Sequence, residues 1–223
     1  MFDYDKKTGE IWIYDEITAS GSGGVSSGDV VGAIKAIGNK ALTVRINSPG
    51  GDVFEGLGIY NALQEHRQKV TTQNDALAAS IASVIMLAGT ERKAAPNSFA
   101  MIHRPFSMSW GTATDLRKTA DLLDNAEETL VNIYTEKLAL RAGAVSAMLD
   151  AETWFNADDQ IGSLIATTTS RQQAIDAAAV PQNRFKKTPA ALVRNMKAGE
   201  RTAFFPIRTK AEHRLRMLKA NKL

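Results

Sequence analysis

The sequence predicts an α/β fold built around a mainly parallel sheet. Two observations support this class. Short apolar runs typical of strands alternate along the chain with segments in which apolar residues recur at helical spacing. Glycine-rich or polar stretches separate these segments and mark turns. A strand–helix–strand order of this kind implies right-handed crossover connections and parallel neighbouring strands.

The first half of the alternation contains two strands and two helices. Strands are predicted over 11–14 and 42–46, where the residues are mostly β-branched or aromatic. A helix is predicted over 29–37, with a Gly-Asn pair directly after it as a stop signal. The sharp loop 47–51 (Asn-Ser-Pro-Gly-Gly) then leads into a second helix over 53–66.

The second half repeats the pattern and ends in a long helix. Strands are predicted over 70–73 and 100–103, with a helix over 79–88 between them. The long helix is predicted over 112–141, because leucine and isoleucine recur there at roughly helical intervals. Acidic residues early in this segment and basic residues late in it suit the helix dipole.

Composition excludes several classes of protein. The chain has no cysteine, which excludes disulfide frameworks, thiolate nucleophiles and thiolate metal sites. Residues 1–10 are polar and lack the apolar core of a secretory signal. The longest apolar run, within 76–89, is too short to cross a bilayer. We therefore expect a soluble, cytoplasmic protein with no membrane partner.

Charge divides the chain into an acidic body and a basic tail. Residues 181–223 contain twelve Lys or Arg and two Glu, a net +10, whereas the remainder has fifteen basic and twenty-two acidic residues, a net −7. The pattern predicts a folded domain over 1–166 and a basic, flexible extension over 167–223. Such a tail could attract nucleic acid. We expect instead a solvated or partner-binding arm.

Three segments carry residue types that suit nucleophilic catalysis. Adjacent glycines in loop 47–51 let the backbone turn sharply and approach a ligand with its N–H groups. Ser80 lies among small residues where a strand is predicted to run into a helix. His103 ends an apolar strand, whereas His66 lies at a charged helix end and His213 in the basic tail. His103 is therefore the histidine placed to activate a serine hydroxyl.

Each feature also has an ordinary structural explanation. Most Pro-Gly-Gly segments are simple turns, and a serine near a helix start commonly caps that helix. A lone histidine at a strand end is more often structural than catalytic. Ser83, one helical turn after Ser80, is interpreted as core packing. Only the combination of the three segments predicts a site.

Taken together, the segments resemble the ClpP peptidase family. The stretches 45–51 (Arg-Ile-Asn-Ser-Pro-Gly-Gly), 78–80 (Ala-Ala-Ser) and 96–105 (Pro-Asn-Ser-Phe-Ala-Met-Ile-His-Arg-Pro) match its glycine loop, nucleophile segment and histidine segment. The resemblance covers roughly residues 11–165. It implies a ClpP/crotonase-like fold of repeated β-β-α and βαβ units, with 112–141 as a long handle helix.

The resemblance also implies a serine endopeptidase. Ser80 would attack the peptide carbonyl, and His103 would pass the proton to the leaving amine. The backbone N–H groups of Gly51 and Ile81 would form an oxyanion hole. No metal and no cofactor is implied. The residues expected to bind the substrate peptide are Gly50, Phe106, Ser107 and Met108.

The acid of the implied Ser-His-acid triad is where the sequence departs from the family. The family generally has an aspartate shortly before an aromatic residue, and here Glu152 occupies that place in Glu-Thr-Trp-Phe. A glutamate can orient the imidazole in the same way if its extra methylene is accommodated. Glu152 is therefore the expected acid, and Asp150 is the alternative. Asp158 and Asp159 are expected to cap the short helix that follows.

The amino-acid sequences of two segments are more similar to those of phage and prophage relatives, which are head maturation proteases. These segments are 52–56 (Asp-Val-Phe-Glu-Gly) and 152–155 (Glu-Thr-Trp-Phe). The likeness implies capsid or scaffold proteins as substrates and a location in the host cytoplasm or prohead interior. The resemblance to the ClpP family also implies homo-oligomeric, heptameric rings. The basic tail could dock to a capsid, and we expect deletion of residues 181–223 to leave small-peptide hydrolysis intact.

Other classes of function stay open at this point. A catalytically quiet, ring-forming assembly protein with a basic docking tail is the main alternative, motivated by Glu152 and the long tail. A crotonase-like acyl-CoA enzyme would share paired amides as an oxyanion hole, but the Ser80 and His103 pairing argues against it. A Ser–Lys dyad would need a nearby lysine, and Lys93 is the nearest along the sequence.

Overall fold

The computed structural model describes residues 1–170 and 185–189, and within them the strands form one eight-stranded sheet. The strands are β1 Phe2–Asp5, β2 Glu10–Ile13, β3 Leu42–Ser48, β4 Val70–Ala79, β5 Glu91–Ala94, β6 Phe99–Ile102, β7 Thr153–Phe155 and β8 Thr168–Thr169.

Strand order and direction confirm the expected α/β class. The main path is β1-β2-β3-β4-β5-β8, while β6 pairs with β4 and β7. The pairs β2–β3, β3–β4, β4–β5, β4–β6 and β5–β8 are parallel. The pairs β1–β2 and β6–β7 are antiparallel. The sheet is thus mainly parallel, with an antiparallel pair at each of two margins.

Six helices accompany the sheet in the described residues. They are α1 Ser27–Ile37, α2 Val53–Gln64, α3 Ile81–Met86, α4 Ala113–Leu138, α5 Ala142–Asp150 and α6 Ala157–Gly162. Side-chain caps fix where several of them begin. Reciprocal capping boxes join Ser26 to Asp29 before α1 and Thr112 to Asp115 before α4. Before α6, Asn156 is the N-cap and Asp159 completes the same arrangement, as expected for Asp159, whereas Asp158 lies in the first turn and takes no part in this capping box.

Strand β4 changes partner along its length, and this positions the site. Residues 71–74 pair with β5, whereas residues 77–79 pair with β6. At the branch, the side chain of Asn74 donates to the Phe99 carbonyl and to Gln160 on α6. Because β6 runs parallel to the end of β4, the residues that follow both strands lie at the same edge of the sheet.

Several elements differ from the sequence prediction. Strand β4 continues to Ala79, so that α3 is shorter than the predicted helix 79–88. Helix α4 ends at Leu138, because Ala139 adopts a left-handed conformation. The sequence analysis did not predict β1, β5, β7, β8 or α5, and all four strands are short, with at most four residues each. Such short strands carry little periodic signal of their own.

The predicted boundary at residue 166 stays a prediction, because most of the extension lies outside the described residues. Two facts bear on it: β8 follows that boundary and pairs with β5, and Phe185 is buried against the folded body. Within residues 1–170 and 185–189, no helix combines the length and the apolar character that a membrane crossing requires.

A buried ion pair joins the centres of β3 and β4. The Arg45 guanidinium donates two hydrogen bonds of 2.7 Å to the Asp75 carboxylate, and both side chains are almost fully buried. Tyr14 and Gln73 donate to the same carboxylate, at 2.5 Å and 2.7 Å. Burial, together with the negative charge of Asp75, raises the pKa of Tyr14 well above its ordinary value, which keeps the phenol a donor.

We predict that Asp75→Asn lowers the free energy of unfolding by about 3–5 kcal/mol, because it removes the counter-charge to which the buried Arg45 guanidinium donates and leaves it with the Glu10 carboxylate at 4.0 Å. As a control, Glu91→Gln breaks ion pairs with Lys69 and Lys93 at the surface and should cost less than about 1 kcal/mol. Urea denaturation measures both values. Equal, small losses would contradict the importance of the buried pair.

Candidate active site

Ser80 lies at a strained turn between β4 and α3. Its φ of 55° and ψ of −130° are unusual for a residue with a side chain. The turn is held by a hydrogen bond of 2.8 Å from the Ser80 N–H to the Met101 carbonyl of β6. Backbone strain of this kind concentrates at functional sites, and a strained strand-to-helix turn is how α/β-hydrolases expose a nucleophilic serine.

The glycine loop packs directly against this turn. Gly50 has a φ of +83°, and a Cβ there would lie 2.6 Å from the Ala79 carbonyl oxygen and 2.7 Å from the Ser80 Cβ. Gly51 has a φ of +150°, and a Cβ there would lie 2.0 Å from the Ile17 carbonyl oxygen. Both positions therefore require glycine, and the loop backbone lies next to Ser80.

His103 follows β6 and contacts Ser80. Its Nε2 atom lies 2.8 Å from the Ser80 Oγ atom, a hydrogen-bond distance. The imidazole ring contacts two phenyl rings, with centroid distances of 5.5 Å to Phe106 and 5.3 Å to Phe185. The structure thus brings together the two residues that the sequence singled out, although 23 positions separate them along the chain.

The turn at Ser80 is supported from behind by α4. The Ser83 hydroxyl donates to the Ser80 carbonyl at 2.6 Å and lies 2.7 Å from the Tyr134 hydroxyl. Burial raises the pKa of Tyr134 well above its ordinary value, so that the phenol stays protonated. Ser83 is buried as the core interpretation required, yet it also holds the carbonyl of the turn. The sequence analysis did not single out Tyr134.

The two carboxylates considered as the acid have different surroundings. Asp150 is exposed and forms an ion pair with Arg104. Hydrogen bonding to that guanidinium holds the pKa of Asp150 below its ordinary value. Glu152 is 9% exposed and accepts hydrogen bonds from the Lys186 N–H at 2.6 Å, from the Lys187 N–H and from the Trp154 indole at 3.2 Å. Within residues 1–170 and 185–189, neither carboxylate forms an ion pair with a Lys or Arg side chain of the C-terminal extension.

A cleft with a volume of about 450 Å³ opens beside Ser80 and His103. Its remaining walls come from the loop at 16–19, from Ser22, from 51–53, from Pro105 and Phe106, and from Phe185. Of the expected substrate-binding residues, Phe106 lines the cleft, while Phe106 and Met108 are 65% and 87% exposed. Ser107 lies exposed between them. The sequence analysis missed Phe185 and the loop at 16–19, since neither lies in one of the three segments that match the family.

The described chain holds no group of three or more His, Cys, Asp or Glu side chains arranged to bind a metal ion. Lys93, the nearest lysine along the sequence, forms an ion pair with Glu91 at 3.3 Å. The polar side chains of Glu16, Thr18, Ser22 and Asp52 also line the cleft. A hydroxyl, an imidazole and the backbone of a glycine loop thus meet there. This set suits nucleophilic attack on a carbonyl carbon.

The Clp protease family model matches residues 7–163, most of the chain. The chain belongs to the Clp protease family. The chain is 36% identical over 122 residues to an ATP-dependent Clp protease proteolytic subunit of Bacteroides fragilis, and the matched region covers 54% of the chain and 59% of the relative. It is 28% identical to proteolytic subunit 1 of Leifsonia xyli, over 72% of the chain and 82% of the relative.

The chain thus spans less than two thirds of the length of the Bacteroides relative. Among solved structures, the chain resembles a point mutant of ClpP1 from Listeria monocytogenes. The TM-score is 0.65 at 22% identity, and the match covers 74% of the chain and 92% of the solved one. This likeness confirms the ClpP fold with its long helix, here α4.

We predict that Gly50→Ala lowers the free energy of unfolding by about 2 kcal/mol or more, because the left-handed backbone and the contact with Ala79 both oppose a Cβ. Gly32→Ala is the matched control, since nothing lies within 4 Å of a Cβ there and the residue is inside α1. It should raise stability by up to about 1 kcal/mol. Thermal and urea unfolding measure both, and a Gly50 variant as stable as the control would contradict the close packing.

Proposed function

We propose that this protein is a serine endopeptidase that uses Ser80 as nucleophile and His103 as general base. The single observation that carries the proposal is the 2.8 Å contact between His103 Nε2 and Ser80 Oγ at a strained turn that opens onto a cleft. A capping or core serine needs neither the strain nor the imidazole. Membership of the Clp protease family supports the same chemistry.

The proposed reaction follows from the order of these groups. His103 Nε2 accepts the Ser80 hydroxyl proton while Oγ bonds to the carbonyl carbon of the substrate. The tetrahedral intermediate collapses as the imidazolium gives that proton to the leaving amine, which leaves an acyl-enzyme. Water then attacks the ester with the same base, and Ser80 regains its proton as the acid product leaves.

Backbone N–H groups of Gly51 and Ile81 are proposed to stabilise the oxyanion. Ile81 is the first residue of α3, so its N–H group has no acceptor within its own helix. Gly51 belongs to the loop that packs on Ser80. Each donor of this kind contributes roughly 3 kcal/mol to lowering a barrier. Gly50 would contribute because, without a Cβ, it lets the loop lie close to Ser80.

Glu152 is proposed as the acid that orients His103. It is largely buried, close in sequence to the β7 strand that pairs with β6, whereas the exposed Asp150 carboxylate already pairs with Arg104. A carboxylate that accepts from the imidazole Nδ1–H selects the tautomer in which Nε2 can take a proton. That the Glu152 carboxylate accepts this hydrogen bond from His103 Nδ1 is part of the proposal.

Polypeptides are the proposed substrates, bound in extended form along Phe106, Ser107 and Met108. These residues are exposed, lie next to His103 and form no strand with the rest of the described chain, so their backbone is available to pair with a peptide. We further propose homo-oligomeric, heptameric rings, and capsid or scaffold proteins as the natural substrates in the host cytoplasm or prohead. The proposed docking arm, residues 181–223, lies almost wholly outside the described residues.

We predict that Ser80→Ala abolishes labelling by a fluorophosphonate probe and lowers peptide turnover by about 10⁴-fold or more, since the nucleophile is lost. Ser163→Ala, at the end of α6, is the matched control and should label fully. Mass spectrometry of capsid precursors, and of an unfolded protein with an ATPase partner, identifies the substrate. Labelling that survives Ser80→Ala would remove Ser80 as nucleophile, while stable rings without turnover would favour the quiet assembly protein.

We predict that Glu152→Gln lowers kcat by about 10³–10⁴-fold, because an amide favours the wrong imidazole tautomer. Asp150→Asn should change kcat by less than about threefold, because it breaks only an exposed pair with Arg104. The two variants differ from wild type by the same atom exchange, which makes them matched. A large loss for Asp150→Asn alone would assign the acid to Asp150.

A further inference from the structure

A short piece of the C-terminal extension lies against the candidate site. Residues 185–189 are described, and Phe185 is only 6% exposed. Its ring packs in a small apolar cluster with Leu77 and Ala79 of β4 and Met101 of β6. The main core contains Ala78, Ala100 and Ile102 from the same strands, so Phe185 covers the opposite face of the sheet.

The Phe185 ring contacts His103, the proposed base, and Trp154, a neighbour of the proposed acid Glu152. Its edge meets the His103 ring at a centroid distance of 5.3 Å and an angle of 71°. It meets Trp154 in the same edge-on manner, at 5.9 Å and 72°. Trp154 in turn donates its indole N–H to Glu152. One ring therefore touches the proposed base and the residue that holds the proposed acid.

The backbone next to Phe185 holds Glu152 directly. The N–H groups of Lys186 and Lys187 donate to different oxygens of the Glu152 carboxylate. Burying a carboxylate without donors is costly, and two main-chain N–H groups offset that cost while fixing the carboxylate in one orientation. Glu152 itself has a left-handed φ of 51°, so its backbone also needs support from its surroundings.

We propose that Phe185 is a positioning residue for His103 and that the segment 185–189 is an integral part of the active site, completed in cis by the extension. The inference deepens the proposed function and rests on it. It replaces the expectation that residues 181–223 are dispensable for small-peptide hydrolysis.

The geometry favours positioning over inhibition. With Phe185 in place, His103 and Ser80 are at 2.8 Å and the cleft beside them is open, with Phe185 as one wall and not a plug. Phe106, the other aromatic neighbour of the imidazole, is 65% exposed and so restrains the ring less than a buried phenyl group does. Phe185 is thus the better-fixed of the two aromatic contacts.

The test uses the full chain and a fluorogenic peptide. Phe185→Ala should lower kcat by about 10–100-fold and change KM by less than about threefold, because a displaced base affects the chemical step. Phe204→Ala, the same deletion elsewhere in the extension, is the matched control and should leave kcat unchanged. Phe185→Tyr, which keeps the ring, should recover activity, whereas Phe185→Leu, which keeps only apolar volume, should not.

A second pair of variants tests the backbone contact. Lys186→Pro removes the N–H group that donates to the Glu152 carboxylate. It should lower kcat by about tenfold, since hydrogen bonds to a charged group are among the stronger ones. Lys186→Ala keeps that N–H group and loses only the side chain beyond Cβ, so it should retain a kcat several-fold higher than that of Lys186→Pro. Circular dichroism and oligomer size confirm that each variant is folded and assembled.

The outcomes separate this inference from the proposed function. If wild type shows Ser80-dependent turnover and Phe185→Ala equals it, the positioning inference is overturned and the peptidase proposal stands. A rise in kcat for Phe185→Ala would also overturn it, since the segment would then restrain the site. Equal recovery by the Leu and Tyr variants would reduce Phe185 to packing. Absence of any Ser80-dependent turnover would end both proposals.

Discussion

The candidate site depends on how strand β4 ends. Its last residues pair with β6, and the Ser80 N–H continues that ladder to the Met101 carbonyl just as the chain turns into α3. This hydrogen bond forces Ser80 into a backbone conformation that a side-chain-bearing residue seldom adopts, and the same pairing delivers His103 two residues after Met101. Ser80 and His103 are neighbours because two parallel strands stop at one edge.

Much of this arrangement could be predicted from the sequence. The alternation of strand and helix patterns predicts a parallel sheet, and the glycines of the 47–51 loop predict a sharp turn with a closely approaching backbone. Ser80 and His103 follow from residue type and from their place at element ends. What the pattern predicts poorly is where elements stop: β4 runs to Ala79, and only the backbone strain at Ser80 explains why α3 starts so abruptly.

The remaining parts of the site carry no local signal. Phe185 and Tyr134 are an ordinary phenylalanine and tyrosine in sequence, and both matter through contacts with residues far away along the chain. The N–H groups that hold Glu152 belong to the backbone, so the lysine side chains of 186 and 187 say nothing about them. The composition of this stretch indicates a charged, solvated tail. Composition describes the side chains, and it gives no information on where the main-chain N–H groups donate.

Helix α4 connects the site to a distant surface. It has 26 residues and so is about 39 Å long. Its first half is largely exposed, while Tyr134 near its other end contacts Ser83, which holds the carbonyl of Ser80. Because an α-helix is stiff along its axis, a tilt of the exposed half of α4 would displace Tyr134 as well. Such a tilt would therefore disturb the contact with Ser83 and the hydrogen bond that Ser83 makes to the Ser80 carbonyl.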